Sequence, residues 1–306
     1  MTLMIRDFTP ADADAAAAAH RAGRPHLVLT AEVFSWLPGH LPAEQHYRTL
    51  VAELDGRVVG SIRCGLVTGT STEGIGYANG SVLPEYRRRG AFTALLGAAE
   101  RHLAAHGATE VHSWVDDVPD DLAFATARGY QQGRAAHFAR RDLTTALPPV
   151  PPLPPGVELR TAAAYQDDPH PLFLVEADAA RDEPGEVEYD NADYQDWLDS
   201  VWSRPDLDRE LTLVAVVDGQ PAAFSAAQTD GATRYWSAFT ACRRDFRGRG
   251  LSTLAKTESL HRARAAGLTE AFTSNDATNA PMLAINHRLG YERCASERKF
   301  IKKLTG

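Results

Sequence analysis

At 306 residues, 44% hydrophobic and 24% charged, the chain has the length of about two domains and a globular make-up, which excludes disordered, collagenous and membrane classes. Its formal charge of −8, from 32 basic and 40 acidic residues, disfavours nucleic acid and suits a neutral or cationic partner. Three widely spaced cysteines, Cys64, Cys242 and Cys294, give neither a disulfide framework nor zinc spacing, so a reducing cytoplasm and no bound metal are expected.

Met1 to Phe8 meets acidic residues (Asp7, Asp12, Asp14) and does not read as a signal peptide; no stretch approaches the 18 or so apolar residues of a membrane span. Leu3 to Phe8 reads as a strand and Pro10 to Arg21 as an alanine-rich helix with proline in its first turn. Thr49 to Leu54 and Arg57 to Leu66 flank Asp55-Gly56, a hairpin signal, because a type I′ turn needs positive φ at both central positions. Ile75 to Leu83 is a further strand. Phe92, Leu95, Leu96, Ala99 and Leu103 recur at helical spacing, and Gly107 supplies the left-handed stop. Glu110 to Val115 reads as a strand, Asp120 to Arg128 as a helix and Gln132 to Arg141 as the last strand of this half.

The run Pro148-Pro149-Val150-Pro151-Pro152-Leu153-Pro154-Pro155 forms neither helix nor central strand. It suits a semi-rigid spacer at about 3.1 Å per residue. An SH3-type ligand is the other use of such a run, but its place between two similar halves favours the spacer. The division expected is 1–143 for a first domain, 144–156 for a linker and 157–306 for a second.

Beyond the spacer the order repeats. Val157 to Arg160 leads; Leu211 to Val217 and Gln220 to Thr229 flank Asp218-Gly219; Arg234 to Cys242 is the fourth strand. Arg249 to Ala266 is the long helix, Glu270 to Thr273 the fifth strand and Asn279 to Arg288 the next helix. Arg87 and Arg247, Gly90 and Gly250, and Gly107 to Glu110 and Gly267 to Glu270 all stand 160 residues apart. Gly129-Tyr130 and Gly290-Tyr291 follow at 161, and Asp55-Gly56 and Asp218-Gly219 at 163. Five matches in order at a nearly constant offset indicate a duplicated domain. The fold class expected is α/β (α+β): two tandem domains, each a mixed, largely antiparallel sheet with helices on both faces.

The chemistry signal is Phe246-Arg247-Gly248-Arg249-Gly250-Leu251-Ser252, between a strand and a long helix. The first amides of a helix lack internal partners and carry the positive end of its dipole, so a pyrophosphate can sit on them. Glycines let it approach, and arginines pair with its oxygens. The stretch lacks the Gly-Lys-Ser/Thr ending of a Walker A loop, and Thr253 stands where a dinucleotide fingerprint needs its third glycine. An Arg/Gly-rich surface turn is the plainer alternative.

This stretch resembles the Arg/Gln-x-x-Gly-x-Gly/Ala signature of the GNAT superfamily of acetyl-CoA-dependent N-acetyltransferases. The resemblance continues through Thr273-Ser274-Asn275-Asp276-Ala277-Thr278-Asn279-Ala280-Pro281-Met282 to Asn286-His287-Arg288-Leu289-Gly290-Tyr291. The first half is similar through Val82-Leu83-Pro84-Glu85-Tyr86-Arg87-Arg88-Arg89-Gly90-Ala91 and Arg128-Gly129-Tyr130. Tandem members, mycothiol synthase-like enzymes among them, occur in the superfamily. The resemblance implies an acetyltransferase in which the fourth and fifth strands splay apart around the cofactor. Its donor site would comprise Thr240, Ala241, Cys242, Arg247, Gly248, Arg249, Gly250, Leu251, Ser252, Asn275, Asn279 and Asn286. In the first half Val82, Leu83, Arg87, Arg88, Arg89 and Gly90 hold the corresponding places.

The implied reaction is attack of a primary amine of a small, cationic molecule on acetyl-CoA or another acyl-CoA; monomer and homodimer both fit. A tandem ligand-binding or interaction scaffold without activity is the rival. The family often protonates the thiolate with a Tyr four residues before the closing glycine; here Asn286 and Ala125 stand there. Phe92 replaces a small residue in the first half, and Val118 stands opposite Asn279, so that half is expected to be non-catalytic. Eight acids lie between residues 182 and 199, uninterrupted by a basic residue; Glu188 is the candidate base and Asn286 the second candidate catalyst. A solvated loop with an acidic helix start is the other reading of that cluster.

Overall fold

Two Asp-Gly turns set the hairpins of the computed structural model, which describes residues 2–304. Asp55 and Gly56 have φ of 50° and 82°, and Asp218 and Gly219 have 49° and 81°. Glycine adopts this region without a Cβ penalty and aspartate tolerates it, so both turns match the twist of their strands.

The first half runs β1 (Leu3–Asp7), α1 (Ala13–Gly23), α2 (Ala31–Trp36), β2 (Arg48–Leu54), β3 (Arg57–Leu66), β4 (Ile75–Val82), α3 (Ala91–Ala105), β5 (Glu110–Asp116), α4 (Pro119–Thr126) and β6 (Gln131–Asp142). The second half repeats it with β7 (Val157–Thr161), α5 (His170–Ala180), α6 (Tyr194–Trp197), β8 (Leu213–Val217), β9 (Gln220–Thr229) and β10 (Arg234–Cys242). It ends with α7 (Leu251–Ala265), β11 (Glu270–Asp276), α8 (Ala280–Arg288) and β12 (Glu292–Lys303). Two helix starts differ from expectation by two residues or more. Pro10–Asp12 forms a 3-10 turn before α1, and α7 begins at Leu251 because Gly248 and Gly250 carry φ of 76° and 75°. Among the described residues no helix is long and apolar enough to cross a membrane.

The chain packs into two units. The first holds the residues up to Ala136 and those from Ala295 onward; the second is His137–Cys294. This differs from a division at the proline run: residues 295–303 pack with the first unit and 137–142 with the second. In the first unit the sheet order is β1-β2-β3-β4-β5-β12, with Glu297–Lys303 antiparallel to Glu110–Asp116 and only the β4–β5 pair parallel. The second reads β7-β8-β9-β10-β11 and then β6, with β10–β11 parallel and the pairs from β7 to β10 antiparallel. Alternation along a strand says where a strand is, while its pairing partner is settled by the edge it meets.

Every residue of β8 is buried, as expected for a strand covered on both faces. Val214 and Val216 face the cluster of Phe173, Trp197 and Trp202 from α5, α6 and the π-helical turn that follows. Ala215 and Val217 face Leu251 and Leu254 of α7. In the first unit Leu95, Ala99 and Leu103 of α3 pack on Ile62 and Val111, and α1 and α2 close a separate cluster around Val33 and Phe34. Helices thus cover both faces of each sheet.

Candidate active site

In the second unit β10 and β11 begin as neighbours and then part. Their pairing covers only Arg234–Trp236 against Glu270–Phe272. On the other side of β10 the register against β9 shifts between Ser237 and Phe239, leaving Ala238 as an extra residue. Such a bulge bends the strand, so beyond Trp236 no backbone ladder joins β10 to β11 among the described residues, and Thr273 Oγ1 donates to Ser237 O at 3.4 Å across the start of the gap. The gap opens into a cavity of about 650 Å³, lined by both strands, the start of α7 and the start of α8.

The start of α7 faces this cavity. The first amide bonded within the helix is that of Leu254, to Gly250 O at 2.9 Å, which leaves the amides of Leu251, Ser252 and Thr253 ahead of it. No side chain caps the helix among the described residues, and Gly250 puts no Cβ near the opening. Three donors and the dipole's positive end together form an anion site. α8, by contrast, is capped: Asn279 Oδ1 accepts from Met282 N at 3.3 Å. Arg247 donates from Nε to Cys242 O at 3.3 Å, while its Nη1 pairs with Asp182 at 2.7 Å. Burial pushes the Cys242 thiol up, which argues against a thiolate nucleophile.

Behind the cavity wall lies a buried cation. Lys256 of α7 is fully buried, and Nζ donates to Asn286 Oδ1 at 2.7 Å. Asn286 Nδ2 in turn donates to Asn275 Oδ1 at 2.6 Å. Desolvation pulls the Lys256 ammonium down to about 7. The Tyr291 ring lies 5.2 Å from Nζ, and no carboxylate pairs with it among the described residues.

Of the donor-site residues expected from sequence, Thr240, Cys242, Arg247, Gly248, Gly250, Leu251, Ser252, Asn275 and Asn279 line the cavity. Ala241 is buried, and its carbonyl accepts from Ser252 Oγ at 3.4 Å. Arg249 lies over the Phe246 ring instead, with 5.7 Å from Cζ to the centroid. Asn286 stands behind Asn275. Glu188 is exposed and off the lining; the acids at the cavity are Asp182 and Glu183. Lys256 was not singled out from sequence, although with Leu260 and Ala263 it falls at i, i+4, i+7 on the buried face of α7.

The first unit has a cavity of about 720 Å³ at the corresponding place, and Arg87 repeats the contact of Arg247 by donating to Val82 O at 3.4 Å. Its gap is bridged, however. β4 and β5 pair over Ile75–Tyr77 and Glu110–His112. Beyond them Ser113 Oγ donates to Ala78 O at 2.8 Å, as Thr273 Oγ1 does to Ser237 O in the second unit, and Trp114 N also donates to Asn79 Oδ1 at 2.8 Å. Buried Arg24 donates to Trp114 O at 2.6 Å and pairs with Asp116 at 3.2 Å. Arg88 pairs with Asp120 at 2.5 Å, and Phe92 lies tilted against Phe124, with centroids 5.5 Å apart. Val82, Gly90 and Arg88 line this cavity; Leu83 and Arg89 are off it, the latter over the Tyr86 ring. His102 and His106, spaced like metal ligands, bind the carbonyls of His46 and His102.

The model of the Acetyltransferase (GNAT) family matches residues 17–130 and again 163–291. A mycothiol acetyltransferase of Salinispora tropica is 34% identical over 149 residues, covering 48% of this chain and 46% of the relative. One of a Nocardioides species is 26% identical over 222 residues, or 69% and 74%. The first of these matches spans about half the length of the curated relative. A solved tandem GNAT protein from the clavulanic acid biosynthesis pathway superposes with a TM-score of 0.75 over 100% of this chain and 99% of that one, at 21% identity, a likeness of fold. Two matched regions, a repeated mixed α/β unit and the uncapped helix start lead to one conclusion: the chain belongs to the acetyltransferase (GNAT) family as a tandem member similar to the mycothiol acetyltransferases.

Proposed function

We propose that the second unit takes acetyl-CoA into the gap between β10 and β11 and transfers its acetyl group to a primary amine of a small cationic molecule. The observation that carries this reading is the uncapped start of α7 at the mouth of a gap that opens after three paired residues. When bound, acetyl-CoA supplies an activated carbonyl and a thiolate leaving group. The amides of Leu251, Ser252 and Thr253 hold its diphosphate, and Asn279, with Oδ1 committed to the cap, offers Nδ2. Backbone groups of β10 beyond Trp236 bind the extended arm, and an amide among them faces the reacting carbonyl.

Acids on the α5 side receive the amine. Glu183 lines the cavity, and Glu176, off the lining but one helical turn before cavity-lining Ala179, has its carboxyl pushed up to about 7 by desolvation. A carboxylate titrating near neutrality is suited to take the amine proton. The mycothiol acetyltransferase relatives support a small-molecule acceptor. The first unit is assigned a non-catalytic role, since Asn79 and Arg24 bridge and brace its gap.

Calorimetry of the full chain with acetyl-CoA, followed by a screen of amines for CoA-thiol release, tests the reading. Binding at one site and thiol release with a cationic amine are expected. Absence of acetyl-CoA binding overturns it.

A further inference from the structure

Each step of the path from Lys256 to the cavity has a fixed direction. As an ammonium, Lys256 has donors only, so the atom of Asn286 facing Nζ at 2.7 Å must be Oδ1. That turns Asn286 Nδ2 outward, and at 2.6 Å it donates to Asn275 Oδ1. Asn275 Oδ1 is thereby turned toward Asn286, and the other end of its amide, Nδ2, is a donor with no protein partner among the described residues. Asn275 lines the gap between β10 and β11. A fully buried lysine 30 residues from its partner thus dictates that this wall presents a donor and not an acceptor.

Within a thioester, the carbonyl oxygen is the strong acceptor and the sulfur a weak one. We propose that Asn275 Nδ2 donates to the carbonyl oxygen of the bound thioester, and that Lys256 is a positioning residue that holds Asn275 in this orientation through Asn286. The inference rests on the acetyl-CoA reading above and adds a side-chain donor to it. Charge grows on that oxygen as the amine attacks, so a donor fixed beforehand is worth more there than in water. Without Lys256 both amides are free to turn over, and the wall can present a lone pair to the same oxygen.

The test is isotope-edited infrared spectroscopy of acetyl-CoA labelled with 13C at the thioester carbonyl, bound to the full chain at pH 6, with calorimetry to establish saturation. The wild type is expected to shift the carbonyl band to lower wavenumber than in free acetyl-CoA. Lys256→Met and Asn275→Asp, each saturated with acetyl-CoA, should return the band to the free position. Asn275→Asp still accepts from Asn286 and lies at the cavity, so it reports even if Lys256→Met fails to fold. An unshifted band in the wild type, or the same shift in wild type and saturated Asn275→Asp, overturns the proposal while leaving acetyl-CoA binding in place. A wild type that binds no acetyl-CoA removes the underlying reading itself.

Discussion

Arg247 Nη1 and Asp182 lie 2.7 Å apart, so an arginine beside the anion site is engaged by a carboxylate at the end of α5. Arg244 joins the same carboxylate at 2.8 Å, and the two arginines, Arg244 first, hold Asp182 down at about 2. A depressed carboxyl favours folding above its unfolded pKa, and that contribution fades only as pH falls toward about 2. The pair is solvent-exposed, so it adds little to stability. Its consequence is electrostatic: it places a negative charge at the mouth and engages a guanidinium.

Asp182→Asn should therefore raise acetyl-CoA affinity about threefold at low salt, with the gain shrinking in 0.5 M salt, where the Debye length falls to about 4 Å from about 10 Å at 0.1 M. Calorimetry at two ionic strengths measures it. Weaker binding in the variant would mean that Asp182 holds Arg247 where the phosphates need it.

Gly250 has φ of 75° with open space around it, so a side chain there meets strain but no clash. Left-handed backbone costs a non-glycine residue about 1–2 kcal/mol. Gly250→Glu should lose that much stability and, with a carboxylate at the anion site, at least about a hundredfold in acetyl-CoA affinity. Gly231, with φ of 70° and equally open, lies off the cavity, so Gly231→Glu should lose similar stability and keep its affinity. Equal affinity in both variants would separate the start of α7 from the phosphates.

Much of this was written in short-range pattern. The Asp-Gly hairpins, the glycine stop after α3 and the Arg-Gly-Arg-Gly entry to α7 each depend on a few neighbours, so their elements were legible. The exchange of residues 137–142 and 295–303 between units was not, because either fifth strand offers an edge to a passing strand. The bulge at Ala238 leaves no mark in composition. The acidic cluster was visible, but Glu188 and Asp182 differ only in what folding brings beside them. Asp182 meets two arginines more than sixty residues away.

The first unit allows a test of its assignment. Asn79 accepts from Trp114 N, and Arg24 is fixed by Trp114 O and Asp116, so groups that an extended ligand arm would use are already bonded. The full chain should bind one acetyl-CoA, and Arg88→Glu should leave that stoichiometry and affinity unchanged. Two equivalent sites in the titration would contradict the assignment.

Glu176 supplies a pH signature. A carboxyl raised to about 7 is ionised, and able to take a proton, only as pH climbs through that value. kcat/KM for the amine should rise with pH around 7 in the wild type. Glu176→Gln should lower it about a hundredfold and remove that limb. A variant with the wild-type profile would exclude Glu176 as the base.

Lys256 makes the opposite prediction for stability. Its ammonium titrates near 7 when folded and near 10.5 when unfolded, because burial without a carboxylate disfavours the charge. Below pH 7 both states hold the proton and the full cost is felt, roughly 5 kcal/mol if the whole shift is counted. Between about 7 and 10.5 the unfolded chain binds more protons than the folded one, so stability rises with pH at up to about 1.4 kcal/mol per pH unit. Lys256→Met lacks this group. Urea unfolding of both proteins at pH 6, 7.5 and 9 should show the wild type gaining on the variant as pH rises. A constant difference across that range would mean that Lys256 keeps its ordinary affinity for the proton, and so that the folded protein supplies it with a compensating charge.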